Sequence, residues 1–225
     1  MTEEALYLRL AGLTVRVKGY PGGKAAFGHY AVPAAVPDVS VELPETLTEQ
    51  PVLALHRAVA ETLIPRDVLL FHASAVAVDG EGFAFTAPSG TGKSTLSAGL
   101  AKLMKERLAY VNDDKPFLVF RPKGVFIAGS PWSGKHLLEN DIEVPLKGIT
   151  FLKQAKENRI SAVKPEDAFL QLLRQIYMPE TKENVTRTLA LIERLVTDVP
   201  CYSLDCTLGP AAPALAYDTM KRGRK

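Results

Sequence analysis

Cysteine is almost missing. Cys201 and Cys206 are the only two among 225 residues, too few for a disulfide framework and without companion His or Cys ligands for a zinc site. Long apolar runs are missing too: Glu3 and Glu4 stand where a secretory leader would be basic, and no hydrophobic stretch approaches a membrane span. A cytoplasmic chain with no membrane partner is therefore expected. Charge of one sign is scarce, with 27 Lys and Arg against 25 Asp and Glu. Much of the small excess sits in Lys221-Arg222-Gly223-Arg224-Lys225, which reads as a solvated tail, so no nucleic-acid partner is expected. Repeats and low-complexity tracts are absent. What is left, 47% hydrophobic and 23% charged residues, is the composition of an ordinary globular protein, and the length favours a single domain over 1–225.

The organisation follows from periodicity. Residues 1–45 form a strand-rich layer: Tyr7 to Val17 reads as one or two antiparallel strands, Tyr20-Pro-Gly-Gly23 as a turn, and the proline-rich Ala31–Pro44 as extended edge structure. Val52, Leu53, Leu55, Val59, Ala60 and Leu63 recur at helical spacing until Pro65. A core over 66–155 follows, with a β-type run from Val68 to Val78, a tight turn at Asp79-Gly80 and a strand at Gly82–Thr86. Beyond it a helix is expected from Ser94 to Arg107, then a strand at Leu108–Val111. A hairpin about Arg121–Gly124 and a short strand at Gly148–Leu152 complete this part. The segment 165–218 holds two helices, Pro165–Tyr177 and Asn184–Val196, and a last strand at Cys201–Asp205.

The loop between the second core strand and its helix carries the chemistry. Ala87-Pro-Ser-Gly-Thr-Gly-Lys-Ser94 fits the phosphate-binding pattern, with Ala87 in place of its first glycine, and Thr95 continues the helix. Gly90 and Gly92 allow backbone N–H groups to turn around phosphate oxygens at the positive end of the helix. Lys93 would reach the β- and γ-phosphates, and Ser94 would coordinate Mg²⁺. A purine nucleoside triphosphate with Mg²⁺ is the expected ligand, bound by Ala87, Pro88, Ser89, Gly90, Thr91, Gly92, Lys93, Ser94 and Thr95. Val111-Asn-Asp-Asp114 then ends the next strand with two carboxylates, where such folds place acids near the metal and the attacked phosphate. Neighbours on a strand point apart, so Asp113 and Asp114 take different tasks; a solvated turn is the plainer alternative.

These segments resemble the HPr kinase/phosphorylase family and its phosphoenolpyruvate carboxykinase-like relatives. The residues carrying the likeness are Phe71-His72-Ala73, Ser89 to Ser94, Asp113-Asp114 and Glu143-Val-Pro-Leu-Lys-Gly-Ile149, within residues 68–152. The resemblance implies an α/β P-loop kinase fold with a mixed central sheet flanked by helices. It also implies that Lys93 binds phosphate, Ser94 and Glu143 serve Mg²⁺, Asp114 is the base, and His72 lies beside it, which leaves Asp113 as the acid that approaches the metal. The family's arginine falls on Pro145, which counts against reverse phosphorolysis. The family's usual N-terminal domain is replaced by the short strand layer, similar to small kinase-like proteins encoded beside peptide-modification cassettes.

The expected activity is Mg²⁺-dependent transfer of the ATP γ-phosphate to a hydroxyl acceptor, first a serine of a protein or peptide. The alternatives are a small-molecule acceptor such as an amino acid or sugar, or a nucleotide-binding regulatory module without turnover. A homo-oligomer stays open. Read from residue type alone, His72 is a hydrogen-bonded core histidine, and only the resemblance makes it a site residue; Trp132 in Ser130-Pro-Trp-Ser-Gly-Lys135 is either a pocket wall or a core side chain. His29, His56 and His136 carry no signal. Arg159 and Lys164 read as solvated cations, and Leu173, Ile176 and Tyr177 as a core-facing stripe.

Overall fold

The computed structural model describes residues 5–207 and 209–223. Glu3, Glu4, Arg224 and Lys225, which entered the reading of the termini, lie outside them. At the start, β1 (Leu6–Leu10) and β2 (Leu13–Lys18) pair antiparallel across Ala11-Gly12, and β3 (Val39–Glu42) joins β2 in parallel. Both turn residues have positive φ, 50° and 77°, which matches the right-handed twist of a two-residue hairpin. Alternation sends Leu8, Leu10, Val15, Val17 and Val41 inward, onto Leu55, Val59 and Leu63 of α1 (Pro51–Leu63). Proline at the first position of α1 gives up no helical hydrogen bond.

The larger sheet is built from β4 (Val68–Leu70), β5 (Ser74–Val78), β6 (Glu81–Thr86), β7 (Leu108–Asn112), β8 (Phe117–Arg121), β9 (Gly124–Ala128) and β10 (Glu143–Gln154). They are ordered β4-β8-β9-β10-β6-β5-β7, with β12 (Cys201–Cys206) on β10 and β11 (Arg159–Ala162) on β12. β10 makes the sheet curl. Its first residues run antiparallel to β9, and the rest runs parallel to β6 on one edge and β12 on the other, with a register shift between Leu146 and Gly148. Helices α2 (Lys93–Met104), α3 (Pro165–Leu172), α4 (Lys182–Asp198) and α5 (Ala211–Arg222) complete a mixed α/β fold. Among the described residues no helix is long and apolar enough to cross a membrane.

Several expectations change. The Val68–Val78 run is two strands, because the backbone between them bonds elsewhere: Phe71 N–H to the Pro116 carbonyl (3.0 Å), His72 to Gln175 (2.7 Å) and Ala73 to Asp114 (3.1 Å). β10 extends to both sides of the expected Gly148–Leu152, β11 lies in a stretch with no apolar alternation, and the Pro165–Tyr177 helix stops at Leu172. The basic C-terminal segment is not simply a tail: Lys221 and Arg222 form the last turn of α5, whose Ala212, Ala216 and Met220 are buried. Trp132 is a core side chain, 9% exposed, edge-on to Phe117 and His56. Ile176 is buried and Tyr177 half-buried against the core, as a core-facing stripe requires.

Candidate functional site

β6 and β7 both run antiparallel to β5 and so parallel to each other, which brings their C-terminal ends to one edge of the sheet. β6 reaches that edge through buried Phe83, Phe85 and Thr86, and the chain turns into α2 across residues 87–92. Gly90 and Gly92 hold φ of 79° and 116°. A Cβ added at Gly90 would meet nothing within 4 Å, so it is the left-handed backbone, not space, that asks for glycine there. No side chain caps Gly92, which leaves the first-turn N–H groups of α2 uncapped by side chains. Lys93 is 8% exposed and folds back over the loop, donating to the Ala87 carbonyl at 2.9 Å. Burial lowers its pKa and the Asp114 carboxylate opposes that shift. Ser94 is half-buried one residue on, and Thr95 is exposed. Gln154 Nε2 donates to the Thr91 carbonyl (3.1 Å), tying the loop to the end of β10. Beside this tie lies an open cleft of about 590 Å³ between Pro88–Thr91, Phe151–Gln154, Gln171 and Ser203.

The acidic turn stands at the end of β7, and the fully buried Asn112 builds it. Its side-chain oxygen accepts from Asp114 N (2.8 Å) and Lys115 N (2.6 Å), while its nitrogen donates to the Ser130 carbonyl (2.9 Å). This asparagine-type turn sends the two aspartates apart. Asp113 is 4% exposed and accepts from Gly134 N at 2.5 Å, fastening the Trp132 loop. Asp114 faces His72, whose Nε2 lies 3.3 Å from its Oδ1, and Lys115, whose Nζ lies 3.3 Å from Oδ2. Burial alone would raise the Asp114 pKa, but the His72 hydrogen bond and the Lys115 charge hold it below the ordinary aspartate value. His72 is placed by main-chain bonds, its N–H to Gln175 and its carbonyl accepting from Thr86 Oγ1 (2.9 Å). The edge thus gathers a glycine-turned loop, a buried lysine and a carboxylate oriented by a histidine, an arrangement able to neutralise an anion and orient a hydroxyl proton.

Residues 45–210 match the family model described as SynChlorMet cassette protein ScmC. The chain belongs to this family. The ScmC segment contains the loop, the acidic turn and the Trp132 loop, whereas β1, β2 and β3 precede it. None of the curated proteins matches the chain. Among solved structures, the Hpr(Ser) kinase/phosphatase from Coxiella burnetii is similar at a TM-score of 0.40 and 14% identity, over 68% of this chain and 93% of that one.

Within the ScmC segment, Glu143 stands apart from Ser94 and Asp113, the other two residues expected to serve the metal. Glu143 opens β10, near Leu146, which is level with Gly82 at the start of β6, whereas the loop follows Thr86, level with Phe151. Both Glu143 oxygens are taken by Arg121, from Nε and Nη2 at 2.6 Å; a guanidinium fork matches a carboxylate better than the metal reading allowed for. The glutamate beside the acidic turn is Glu139. It bridges Asn112, and its Oε2 is enclosed without a hydrogen-bond partner. Among the described residues no three His, Cys, Asp or Glu side chains cluster as a metal cage.

Three further residues escaped the sequence reading. Asn112 had a signal, a turn-forming residue directly before the acids. Lys115 had only its adjacency to them. His56 had none: α1 carries it from outside the core region into electrostatic reach of Lys115 and Asp114, 4.9 Å from the Trp132 ring centroid.

Proposed function

We propose that the chain binds a nucleoside triphosphate, ATP, through Ala87–Thr95 and transfers its γ-phosphate to a hydroxyl acceptor, first a serine of a protein or peptide. The whole described chain acts as one kinase domain of the P-loop type, working in the cytoplasm. The observation carrying this reading is the convergence of the Lys93 loop and the His72–Asp114 pair at the shared ends of β6 and β7.

The loop amides and Lys93 hold the β- and γ-phosphates. Lys93 leaves the Ala87 carbonyl to do so, exchanging a neutral acceptor for a charged one. The nucleoside runs away from Asp114 along the cleft lined by Phe151, Gln154 and Gln171. Asp114 accepts the acceptor's hydroxyl proton; the acceptor oxygen bonds to the γ-phosphorus as the bond to the β–γ bridging oxygen breaks, and ADP leaves with that oxygen. His72 orients the Asp114 carboxylate. Ser94 and Asp113, one hydroxyl and one carboxylate, would hold Mg²⁺ beside the phosphates. Bound there, the ion would offset the charge of the triphosphate.

Incubation with γ-labelled ATP, Mg²⁺ and candidate acceptor proteins or peptides tests the reading. Label should move to a serine. Asp114→Asn should slow transfer about 10² to 10⁴-fold while keeping nucleotide affinity, the scale of general-base removal. Lys93→Ala should weaken triphosphate binding itself. Tight binding without transfer to any hydroxyl would reduce the protein to a nucleotide-binding module, and label on an amino acid or sugar would change the acceptor class.

A further inference from the structure

Asp114 is over-supplied with partners. His72 Nε2 sits 3.3 Å from Oδ1, and Lys115 Nζ sits 3.3 Å from Oδ2 and 3.4 Å from Oδ1. A carboxylate held on both oxygens is poorly placed to receive a proton from a third group. Lys115 is itself unusually fixed: its N–H donates to Asn112 Oδ1 and its carbonyl accepts from Ser130 Oγ, each at 2.6 Å, while its side chain stays 27% exposed. The backbone is clamped at both ends and only the ammonium is left to move. Lys93 lies within electrostatic reach of both Asp114 and Lys115. An incoming anionic phosphoryl group therefore competes with Asp114 for the Lys115 ammonium.

We propose that Lys115 is a second cation of the transfer site, which leaves Asp114 for the γ-phosphate when the triphosphate binds and so frees Asp114 to take the acceptor's proton. This rests on the kinase reading above and adds to it a coupling: the base is locked while the site lacks a γ-phosphate, and binding of the phosphate to be transferred releases it. The acceptor hydroxyl then meets an unlocked Asp114 only in the ATP complex. ADP, which lacks that phosphate, leaves Lys115 on Asp114. Because Lys115 is a point charge on a flexible stem, one side-chain rotation moves it between the two anions with no change in the clamped backbone.

The test compares ATP and ADP affinities by calorimetry, with Mg²⁺, for the natural chain, Lys115→Met and Lys115→Arg. All three preserve the backbone clamps, and circular dichroism confirms that each is folded. Lys115→Met should leave the ADP affinity within about threefold and lower the ATP affinity about tenfold or more, the weight of one charge-assisted contact. Lys115→Arg should recover part of that loss. If Lys115 only positions Asp114, the methionine variant will slow transfer but preserve the ATP-to-ADP ratio, and the inference falls while the kinase reading stands. Failure of the natural chain to bind ATP removes both.

Discussion

His56 shows how a single side chain reports on the enclosure of the site. It sits on α1 beneath the Trp132 loop, its Nε2 is enclosed without a hydrogen-bond partner, and burial together with the Lys115 charge lowers its pKa from 6.5 to about 4, against a smaller upward pull from Asp114. The folded protein therefore holds it neutral where the unfolded chain takes up a proton. Its contribution to stability is present above pH 6.5 and is lost as the pH falls towards 4, because in that window the unfolded state binds more protons. The full difference amounts to about 3 kcal/mol. Denaturant titrations at pH 7 and pH 4.5 should show the midpoint falling on acidification, and His56→Gln should flatten that fall. An unaltered slope in the variant would mean that other groups carry the acid sensitivity. The Asn112 amide, by contrast, is uncharged and its effect is geometric: by holding the N–H groups of both Asp114 and Lys115 it fixes the two residues as one unit.

Elements whose side chains alternate or recur against one core were legible in the sequence. The β5–β6 hairpin is one, since Asp79 and Gly80 adopt φ of 53° and 80° as a tight turn of that type requires. The helix after the loop is another. The candidate loop and the acid pair were also visible, as a spaced pattern of residue types, whereas His72 was brought in only by the family resemblance. What escaped depends on contacts between distant segments. β10 carries half-exposed residues and Pro145 through its first half and is held as a strand by β9, β6 and β12 together. Glu143 was assigned to a metal by the resemblance, and nothing near it in sequence announces Arg121. α5 is rich in alanine and begins after a proline, so it went unread although Ala212, Ala216, Tyr217 and Met220 recur at helical spacing; part of its contact with α2 is made through small groups. Gly99 of α2 faces Pro213, and an added Cβ would stand 2.6 Å from its Cγ. In an isolated helix Gly99→Ala would be worth about 1 kcal/mol in propensity. Here the rigid proline ring must move, and overpacking of this kind costs about 1–3 kcal/mol. The expected outcome is net destabilisation, read as a lower Tm. A raised Tm would show that α2 and α5 yield easily, and that α5 is a loose cover.

At the scale of the molecule, the sheet of β1, β2 and β3 lies before the segment shared with the ScmC family, yet it is not an appendage. Leu8, Leu10, Val15, Val17, Tyr30 and Val41 form one apolar cluster with Leu55, Val59 and Leu63 of α1, with Phe117 of β8 and with Trp132. The same layer thus supports the helix that carries His56 and the loop fastened by Asp113. Removing it uncovers Leu55, Val59 and Leu63, each at most 1% exposed. Each large side chain returned to water costs about 1.5–3 kcal/mol, and the losses on both sides of the interface together approach the whole stability of about 5–15 kcal/mol typical of a folded chain. A chain beginning at residue 45 should therefore lose cooperative unfolding, bind hydrophobic dyes and fail to bind ATP, even though it keeps the loop, the acids and His72. Residues 45–225 that unfold cooperatively and bind nucleotide would instead make the layer dispensable. Its position over α1 and the Trp132 loop would then have to be explained by what it excludes from the site, not by the core it shares.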